Sequence, residues 1–263
     1  MVNFWLYLIT ILTTSPLTSL QSDILTKNID LSTQLKVEKT KVNPTYVVVI
    51  DPGHGGKDHG CLYHNHSEKN YTMAIARSLG NQLKYHHTNI KVIYSRSSDD
   101  HLYLTKRSHL ANQAKADLFI SIHLNSHSDQ AINGFETFIF GKSDYELNSK
   151  YSGSCANSDS KKSDTVVITE QILSQYKAQQ RQKINLKIAK AICNAVEETE
   201  LQNRGIKQAE FLVLKNCKMP SVLLEFGYLT NPNDRSRLSQ SSSIKKITEP
   251  IAKACLQFLK QTV

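Results

Sequence analysis

Residues 46–56, YVVVIDPGHGG, consist of an apolar run that passes directly into a glycine-rich loop. A short run of this kind, rich in β-branched residues, is typical of a strand covered on both faces of a sheet. Comparable runs follow at 91–94 (KVIY), 118–122 (LFISI), 135–140 (FETFIF), 211–214 (FLVL) and 222–226 (VLLEF). The sequence therefore predicts six strands, the first of them at 46–50.

Apolar residues recur at helical spacing between and after these runs. They form three sets: Met73, Ala76, Leu79 and Leu83; Leu186, Ala189, Ile192, Cys193 and Val196; and Ile244, Ile247, Ile251, Cys255 and Phe258. Pro250 falls inside the third set and is predicted to kink that helix. Strands that alternate with helices indicate a three-layer α/β domain, a sandwich in which helices flank the sheet.

The composition narrows the class of protein. The chain has 263 residues, 40% of them hydrophobic, and 32 Lys and Arg against 23 Asp and Glu give a net charge of +9. This mixture excludes a disordered, a collagen-like or a polytopic membrane protein. The positive charge suits an acidic partner, for which nucleic acid, anionic lipid and a carboxylate-rich cell wall are alternatives. The five cysteines include no CxxC pair, and Cys193 and Cys255, on apolar helical faces, are predicted to be buried thiols.

The N-terminal region differs from the rest of the chain. Residues 4–12, FWLYLITIL, are apolar but fall short of the roughly 20 residues that span a bilayer. Such a run suits the core of a signal peptide, although a positively charged start is missing; the alternative is an N-terminal strand or helix of the domain. We predict a signal peptide at 1–22, a polar linker at 23–44 that ends at Asn43-Pro44, and a folded domain at 45–263.

Polar residues follow the apolar strands at their C-terminal ends. His54 comes after the first strand, His123 ends the third, and Glu225 lies near the end of the last. In an open α/β sheet these ends line the ligand crevice, so the three side chains are predicted to share one site. A carboxylate inside an apolar strand is costly to bury uncompensated. Glu225 therefore indicates a bound cation or a catalytic role, unless it pairs with a Lys or Arg.

The choice of metal ligands stays open at this point. His54 lies in a glycine-rich loop, but His59, His64 and His66 follow closely. Glu68 comes after Ser67, a predicted helix N-cap, and an acidic residue at a helix start also occurs for electrostatic reasons alone. Two histidines and a carboxylate suit catalytic zinc, which keeps a fourth position for water.

The motifs together resemble the zinc-dependent N-acetylmuramoyl-L-alanine amidases, the family that includes the AmiA/AmiB/AmiC division amidases. The resemblance begins with IDPGHGGKDHG at 50–60 and continues through Glu68 and YSRSSDDHLYLTKRSHLANQAKADLFISIHLNS at 94–126. It includes GFETFIFG at 134–141, NLKIAKAI at 185–192 and NRGIKQAEFLVLKNCKMPSVLLEFGYLTNPND at 203–234. It thus covers the chain from about residue 45 to the C-terminus.

The resemblance implies a fold and a reaction. The fold is a twisted, mixed and mostly parallel six-stranded sheet flanked by helices. His54, Glu68 and His123 are implied to hold one Zn²⁺, and Glu225 to be the catalytic carboxylate. The reaction is cleavage of the amide between the lactyl group of N-acetylmuramic acid and L-alanine, in peptidoglycan or muropeptides. Asn125 and Arg96 match positions near the cleft and are predicted to bind substrate, although Arg96 also suits an anchor for Asp99 or Asp100. We expect an exported monomer of the periplasm or cell envelope that binds no nucleic acid.

The sequence departs from the family pattern at two places, and each departure predicts a structural difference. Leu124 stands where a small residue is usual, which alters the wall of the cleft. Residues 141–182 are longer than in minimal members, and in division amidases an insertion here carries a helix that blocks the site until an activator protein displaces it. In this chain Val166, Val167, Ile168, Ile172, Leu173 and Tyr176 suit such a helix, with Glu170 facing the metal. The alternative is a longer core helix or a solvated excursion.

Two other functions fit parts of the sequence. An S-x-x-K serine acyltransferase or carboxypeptidase matches the letters at 158–161 and 242–245. A non-catalytic peptidoglycan-binding module would keep the fold without turnover, yet both histidines and both glutamates are retained. A requirement for metal distinguishes the amidase from either alternative.

Overall fold

Six strands form the central sheet of the structure, a computed structural model that describes residues 46–141 and 164–262. Nothing is described of the side chains of 164–175 and 178. The strands are β1 Tyr46–Pro52, β4 Ile90–Tyr94, β5 Leu118–Asn125, β6 Phe135–Phe140, β7 Asn203–Ala209 and β8 Ser221–Tyr228, and a small hairpin contains β2 Leu62–Tyr63 and β3 His66–Ser67. The predicted signal peptide and linker lie outside the described residues.

The order of strands across the sheet is β4-β1-β5-β8-β6-β7. Neighbouring strands are parallel except at one point, where β6 runs antiparallel to β8. The sheet is therefore mixed and mostly parallel, as predicted. The C-terminal ends of β1, β5 and β8 meet at one edge, which is where His54, His123 and Glu225 were expected.

Helices cover both faces of the sheet. They are α1 Glu68–His86, α2 Leu104–Gln113, α3 Asp164–Val196, α4 Leu212–Lys215, α5 Pro232–Leu238 and α6 Ser241–Thr262. One apolar core contains Ile75 of α1, Ile188 of α3 and Ile251 of α6. The other contains Ala111 of α2 and Val213 of α4. These two cores confirm the predicted three-layer α/β sandwich.

The prediction of a strand at 211–214 was wrong. Residues 212–214 belong to the short helix α4, whose Val213 and Leu214 fill the second core. A brief apolar run has the same hydrophobicity in a buried helical turn as in a buried strand, so periodicity alone does not separate the two. The sixth strand is instead β7, NRGIKQA, which is mostly polar, only partly buried and lies at one edge of the sheet.

Helix α3 is longer than the apolar spacing at 186–196 predicted. It runs without interruption from Asp164 to Val196, so the segment proposed as a blocking helix is continuous with the core helix. The side chain of Glu170 lies outside the described part of α3, and residues 142–163 of the inserted region are also outside it. Among the helices that the structure describes, none is long and apolar enough to cross a bilayer.

Four cysteines lie in the described ranges, and none of them forms a disulfide. Cys193 and Cys255 are buried, as predicted, and so is Cys217; Cys61 is half-buried. Burial raises the pKa of the Cys217 and Cys255 thiols to about 12. These thiols therefore stay protonated at neutral pH.

Candidate active site

Three separate elements bring metal-binding atoms to one point. His54 follows β1, Glu68 begins α1, and His123 lies near the end of β5. Glu68 Oε1 is 3.1 Å from His54 Nε2 and 3.0 Å from His123 Nδ1, and the three donor atoms all lie within 4.8 Å of one another. Ligands about 2.1 Å from a tetrahedral zinc ion lie roughly 3.4 Å apart. The donor set and its spacing therefore fit one zinc ion.

The loop after β1 fixes the orientation of His54. The backbone of His54 has φ of 60°, a conformation that is uncommon for residues other than glycine. Its Nδ1 lies 2.9 Å from Asp58 Oδ1, which leaves Nε2 toward Glu68. Burial lowers the pKa of His54, but Glu68 and Asp58 outweigh that effect and raise it. Asp58 was not singled out by the sequence and acts as the outer partner of this imidazole.

Glu68 is held as an anion although it is only 2% exposed. Its Oε1 accepts a hydrogen bond from the Leu124 backbone N–H at 3.0 Å, and its Oε2 accepts one from Cys61 N–H at 2.8 Å. Burial raises its pKa, but hydrogen bonds from His123 and His54 bring it well below the usual range. Ser67 occupies the N-cap position of α1 as predicted, yet its hydroxyl bonds the His59 carbonyl and makes no cap.

Two glycines let the backbone approach the ligands. A Cβ at Gly53 would lie 2.3 Å from Cε1 of His123, and one at Gly60 would lie 2.4 Å from Glu68 Oε2. Either addition would displace a ligand side chain, and Gly60 also has φ of +65°. The glycines at these two positions thus allow the three ligands to converge.

Two buried arginines hold the carbonyls of the same loop. Arg96 donates from Nε to the Pro52 carbonyl at 3.0 Å and from Nη2 to the Gly53 carbonyl at 2.9 Å. Arg107 donates to the His54 carbonyl at 2.9 Å and pairs with the buried Asp51 at 2.8 Å. Arg96 is only 5% exposed, so its guanidinium stabilises the loop after β1 from the interior of the protein. Contact between Arg96 and substrate, which the resemblance implied, stays a prediction.

Arg96 hydrogen-bonds to neither of the two acidic residues that it was proposed to anchor, Asp99 and Asp100. Asp99 binds Lys69 Nζ at 2.7 Å and the Gly56 backbone N–H at 2.9 Å. Asp100 accepts a hydrogen bond from the Ser98 hydroxyl. The loop at 97–100 is therefore fastened to the glycine-rich loop through Asp99 and Lys69.

Glu225 lies directly beside the metal ligands. It is the neighbour of His123 in the register of β5 and β8. Its Oε2 is buried without a hydrogen-bond partner, and it makes no ion pair within the described ranges, so the alternative of a Lys or Arg partner was wrong. Burial, together with the charges of Glu68 and Glu136, raises its pKa well above the usual value. A buried carboxyl with a raised pKa beside a metal site is typical of a catalytic acid or base.

A second buried carboxylate, Glu136 of β6, lies opposite Glu225 in the antiparallel register. Its Oε1 accepts hydrogen bonds from Arg204 at 2.9 Å, Lys207 at 2.6 Å and the Tyr228 hydroxyl at 2.7 Å. Its Oε2 accepts one from Asn125 Nδ2 at 3.1 Å. Asn125, predicted to bind substrate, is thus tied to Glu136. The sequence offered for Glu136 the same signal as for Glu225, a carboxylate inside an apolar strand.

A known protein family and several of its individual members match most of this chain. Residues 48–257 match the family described as N-acetylmuramoyl-L-alanine amidase. The chain belongs to that amidase family. CwlM, an amidase from Bacillus licheniformis, is 32% identical over 200 residues, which cover 76% of this chain and 63% of CwlM. AmiA from Escherichia coli is 30% identical over 220 residues, 81% of this chain and 75% of AmiA.

The fold agrees with solved members of the amidase family. The amidase structure from Clostridium difficile 630 matches with a TM-score of 0.62 and 27% identity, and the match covers 83% of this chain and 99% of that one. The chain spans less than two thirds of the length of CwlM and three quarters of AmiA. The part of this chain that matches the family, residues 48–257, contains nearly all of the sheet and the helices described above.

In the described part of the chain, the alternative serine site has no comparable geometry. Residues 158–161 lie outside the described residues. Ser242 and Lys245 are exposed in the first turn of α6. Among the described residues, the cluster of metal-binding side chains includes none of the histidines that the sequence left open, His59, His64 and His66. The His66 ring bonds the Tyr71 hydroxyl at 2.6 Å, and the His64 ring contacts Tyr63.

Proposed function

We propose that this chain hydrolyses the amide between the lactyl group of N-acetylmuramic acid and the L-alanine of the stem peptide, in peptidoglycan or muropeptides. The observation that carries the proposal is the convergence of His54, Glu68 and His123 beside Glu225, whose buried Oε2 atom has no hydrogen-bond partner. An amide hydrolase needs an activated water and a group that moves its proton, and this site offers residues for both.

His54, Glu68 and His123 are the residues that would hold one zinc ion. When bound, the ion supplies a Lewis acid that polarises the scissile carbonyl and makes a water nucleophilic near neutral pH. Glu225 accepts the proton of the attacking water and returns it to the leaving nitrogen of L-alanine. Its raised pKa favours this exchange, because a carboxylate with a higher pKa is a stronger base. Asp58 orients His54 through Nδ1, and the backbone N–H groups of Cys61 and Leu124 hold Glu68.

The test is hydrolysis of a purified muramoyl peptide, analysed by mass spectrometry with chelator, without chelator and after zinc is added back. We expect a free lactyl carboxylate and a free alanine amine, products that disappear with chelator and return with zinc. The serine-type alternative would cut elsewhere and survive chelation, and a binding module would give no product. Undiminished cleavage by a metal-free preparation would overturn the proposal.

Export and control belong to the same proposal. The apolar run at 4–12 supports a signal peptide, and the charge of +9 supports work on an acidic wall in the periplasm or cell envelope. We also propose that an activator protein displaces a segment within 141–182. In the resting state the side chain of Glu170 would fill the open coordination position of the zinc ion. Arg181 bonds the Cys217 carbonyl at 2.9 Å and Gln182 bonds Gln208, so a test deletion must stop before them.

The deletion that tests this control removes residues 143–175 and closes the gap with a short Gly/Ser linker. We expect basal hydrolysis to rise, because a cover that is closed 99% of the time needs only about 2.7 kcal/mol to stay closed. Deletion of 143–160 alone, which keeps the apolar segment, is the matched control and should leave activity unchanged. A folded 143–175 deletion with unchanged or lower activity would show that the segment is structural.

A further inference from the structure

Two cations on the edge strand β7 share one buried anion. Arg204 Nε and Lys207 Nζ both donate to Glu136 Oε1, at 2.9 and 2.6 Å. Glu136 is fully buried, whereas the side chains of Arg204 and Lys207 are 28% and 42% exposed. These three groups together carry two positive charges and one negative charge, a net charge of +1.

Neutralising Glu136 does not require both cations. Its carboxylate also accepts hydrogen bonds from the Tyr228 hydroxyl and from Asn125. A single Arg with these two neutral donors would already satisfy a buried carboxylate. The second cation therefore has capacity for another anion, and the shared Glu136 holds both cations in a fixed place.

The cations continue a row of functional residues across the sheet. His123 of β5 pairs with Glu225 of β8, and Glu225 pairs with Glu136 of β6. Arg204 lies opposite Glu136, where the register of β6 and β7 shifts between Phe135 and Thr137. Because neighbouring strands are about 4.8 Å apart, the backbone of β7 lies roughly 10 Å from that of Glu225. An extended peptide covers this distance with about three residues.

The surface between the two cations is open. Gly205 has φ of +84°, and a Cβ added there would meet no atom within 4 Å. Strand β7 pairs only with β6 in the sheet, so its outer side is an edge. A substrate peptide that extends from the catalytic centre across β8, β6 and β7 would thus reach Arg204 and Lys207. Gly205 has no side chain that would block this path.

We propose that Arg204 and Lys207 bind a carboxylate of the peptide part of the substrate and so make this site selective for acidic stem peptides. The inference rests on the proposed amidase function. In that substrate the lactyl carboxyl is consumed in the scissile amide, so free carboxylates lie on the peptide side. Arg and Lys held by a buried anion are already ordered, which lowers the entropy cost of binding a second carboxylate.

The test compares two soluble substrates that differ by one charge: N-acetylmuramoyl-L-alanyl-D-glutamate with both carboxylates free, and the same compound with the α-carboxylate amidated. The variant is Lys207→Gln, which leaves Arg204 paired with Glu136. We expect kcat/KM on the charged substrate to fall about five- to tenfold, mainly through KM, as for a partly exposed charged hydrogen bond. On the amidated substrate we expect less than a twofold change. Lys253→Gln, on α6, is the matched control and should change neither.

A second measurement needs no variant. The preference of the parent protein for the charged over the amidated substrate should shrink as salt rises from about 0.05 to 0.5 M, because the surface charges are then screened. An equal loss on both substrates in Lys207→Gln, or a preference that salt does not change, would overturn the inference. If the parent protein cleaves neither substrate, the proposed function fails instead, so the two failures are distinguishable.

Discussion

Asp58 holds the ring of His54 from the side opposite the metal position, at 2.9 Å. Outer partners of this kind fix the tautomer of a ligand, and their loss typically costs about 10–100-fold in metal affinity or activity. We expect Asp58→Ala to lower zinc affinity in this range, measured by competition with a chelator. Asp58→Asn, which keeps an acceptor without the charge, should fall between this variant and the parent. Parent-like affinity in Asp58→Ala would contradict the assigned role.

Glu225 lies beside the ligands without being one of them. We expect Glu225→Gln to keep zinc and lose about 10²–10⁴-fold in kcat, because the amide has the shape of the carboxyl but moves no proton. Metal analysis and turnover of the same preparation check this. Loss of zinc in the variant would instead make Glu225 a ligand.

Stability gives a second readout at Glu225. Burial raises the pKa of its carboxyl in the folded state, so the folded protein holds a proton that the unfolded chain releases, and stability falls as pH rises above 4.5. Glu225→Gln lacks this penalty. Its free energy of unfolding relative to the metal-free parent should therefore increase from pH 5 to pH 8, as measured by urea titration.

Unusual sequence signals identified most of the site, but Glu136, which carries the same signal as Glu225, was missed, as were residues without such a signal. His54, His123 and Glu225 each follow or end an apolar run, and convergence of strand ends predicted that they meet. Asp58 and Arg107 are polar residues in a loop and a helix, where such residues are ordinary. Only the folded chain shows that Asp58 bonds the His54 ring and Arg107 its carbonyl.

Among the elements, the apolar strands were predictable, including the edge strand β4, and the polar edge strand β7 was not. β1, β5 and β8 are buried almost throughout, so their sequences are apolar. β7 is only partly buried, and its polar residues carry no hydrophobic period. The run at 211–214 is apolar because α4 packs on the sheet. For this run the sequence indicated correctly that Val213 and Leu214 are buried, but it indicated the wrong backbone conformation.

Glu136 links β6 to β7 through the hydrogen bonds that it accepts from Arg204 and Lys207. Burial raises the pKa of its carboxyl, but hydrogen bonds from Lys207, Tyr228 and Arg204 outweigh it and bring the pKa below 4.5. The carboxylate therefore stabilises the fold above pH 4.5, and this contribution is lost as pH falls. We expect Glu136→Gln to lower the free energy of unfolding by about 1–3 kcal/mol at pH 7.

The same variant has a distinct pH dependence. The difference from the parent should shrink between pH 5 and pH 3.5, measured by urea unfolding. Glu210→Gln, an exposed carboxylate directly after β7, is the control and should not show the difference at pH 7. A deficit in Glu136→Gln that is constant down to pH 3.5 would mean that its cause is packing and not charge.

On the scale of the molecule, the metal ligands join β1, α1 and β5, so metal binding and folding are coupled. Zinc at 100 times its Kd should stabilise the folded state by about 2.7 kcal/mol. For a domain of this size that corresponds to a rise in Tm of roughly 5–10 °C. Scanning calorimetry with zinc and with chelator measures it. His54→Ala should show no comparable rise, and an equal rise in that variant would place the zinc elsewhere.

The buried thiols sit on opposite sides of the sheet, Cys255 in the core under α1, α3 and α6 and Cys217 in the core under α2 and α4. Alkylating reagents attack only the thiolate of an accessible cysteine, so each thiol reacts only when its own layer opens. The labelling rate of each cysteine, followed by mass spectrometry of its peptide, thus reports how often the layer on one face of the sheet opens. Equal rates would mean that the two layers open together, and unequal rates would identify the layer that opens first.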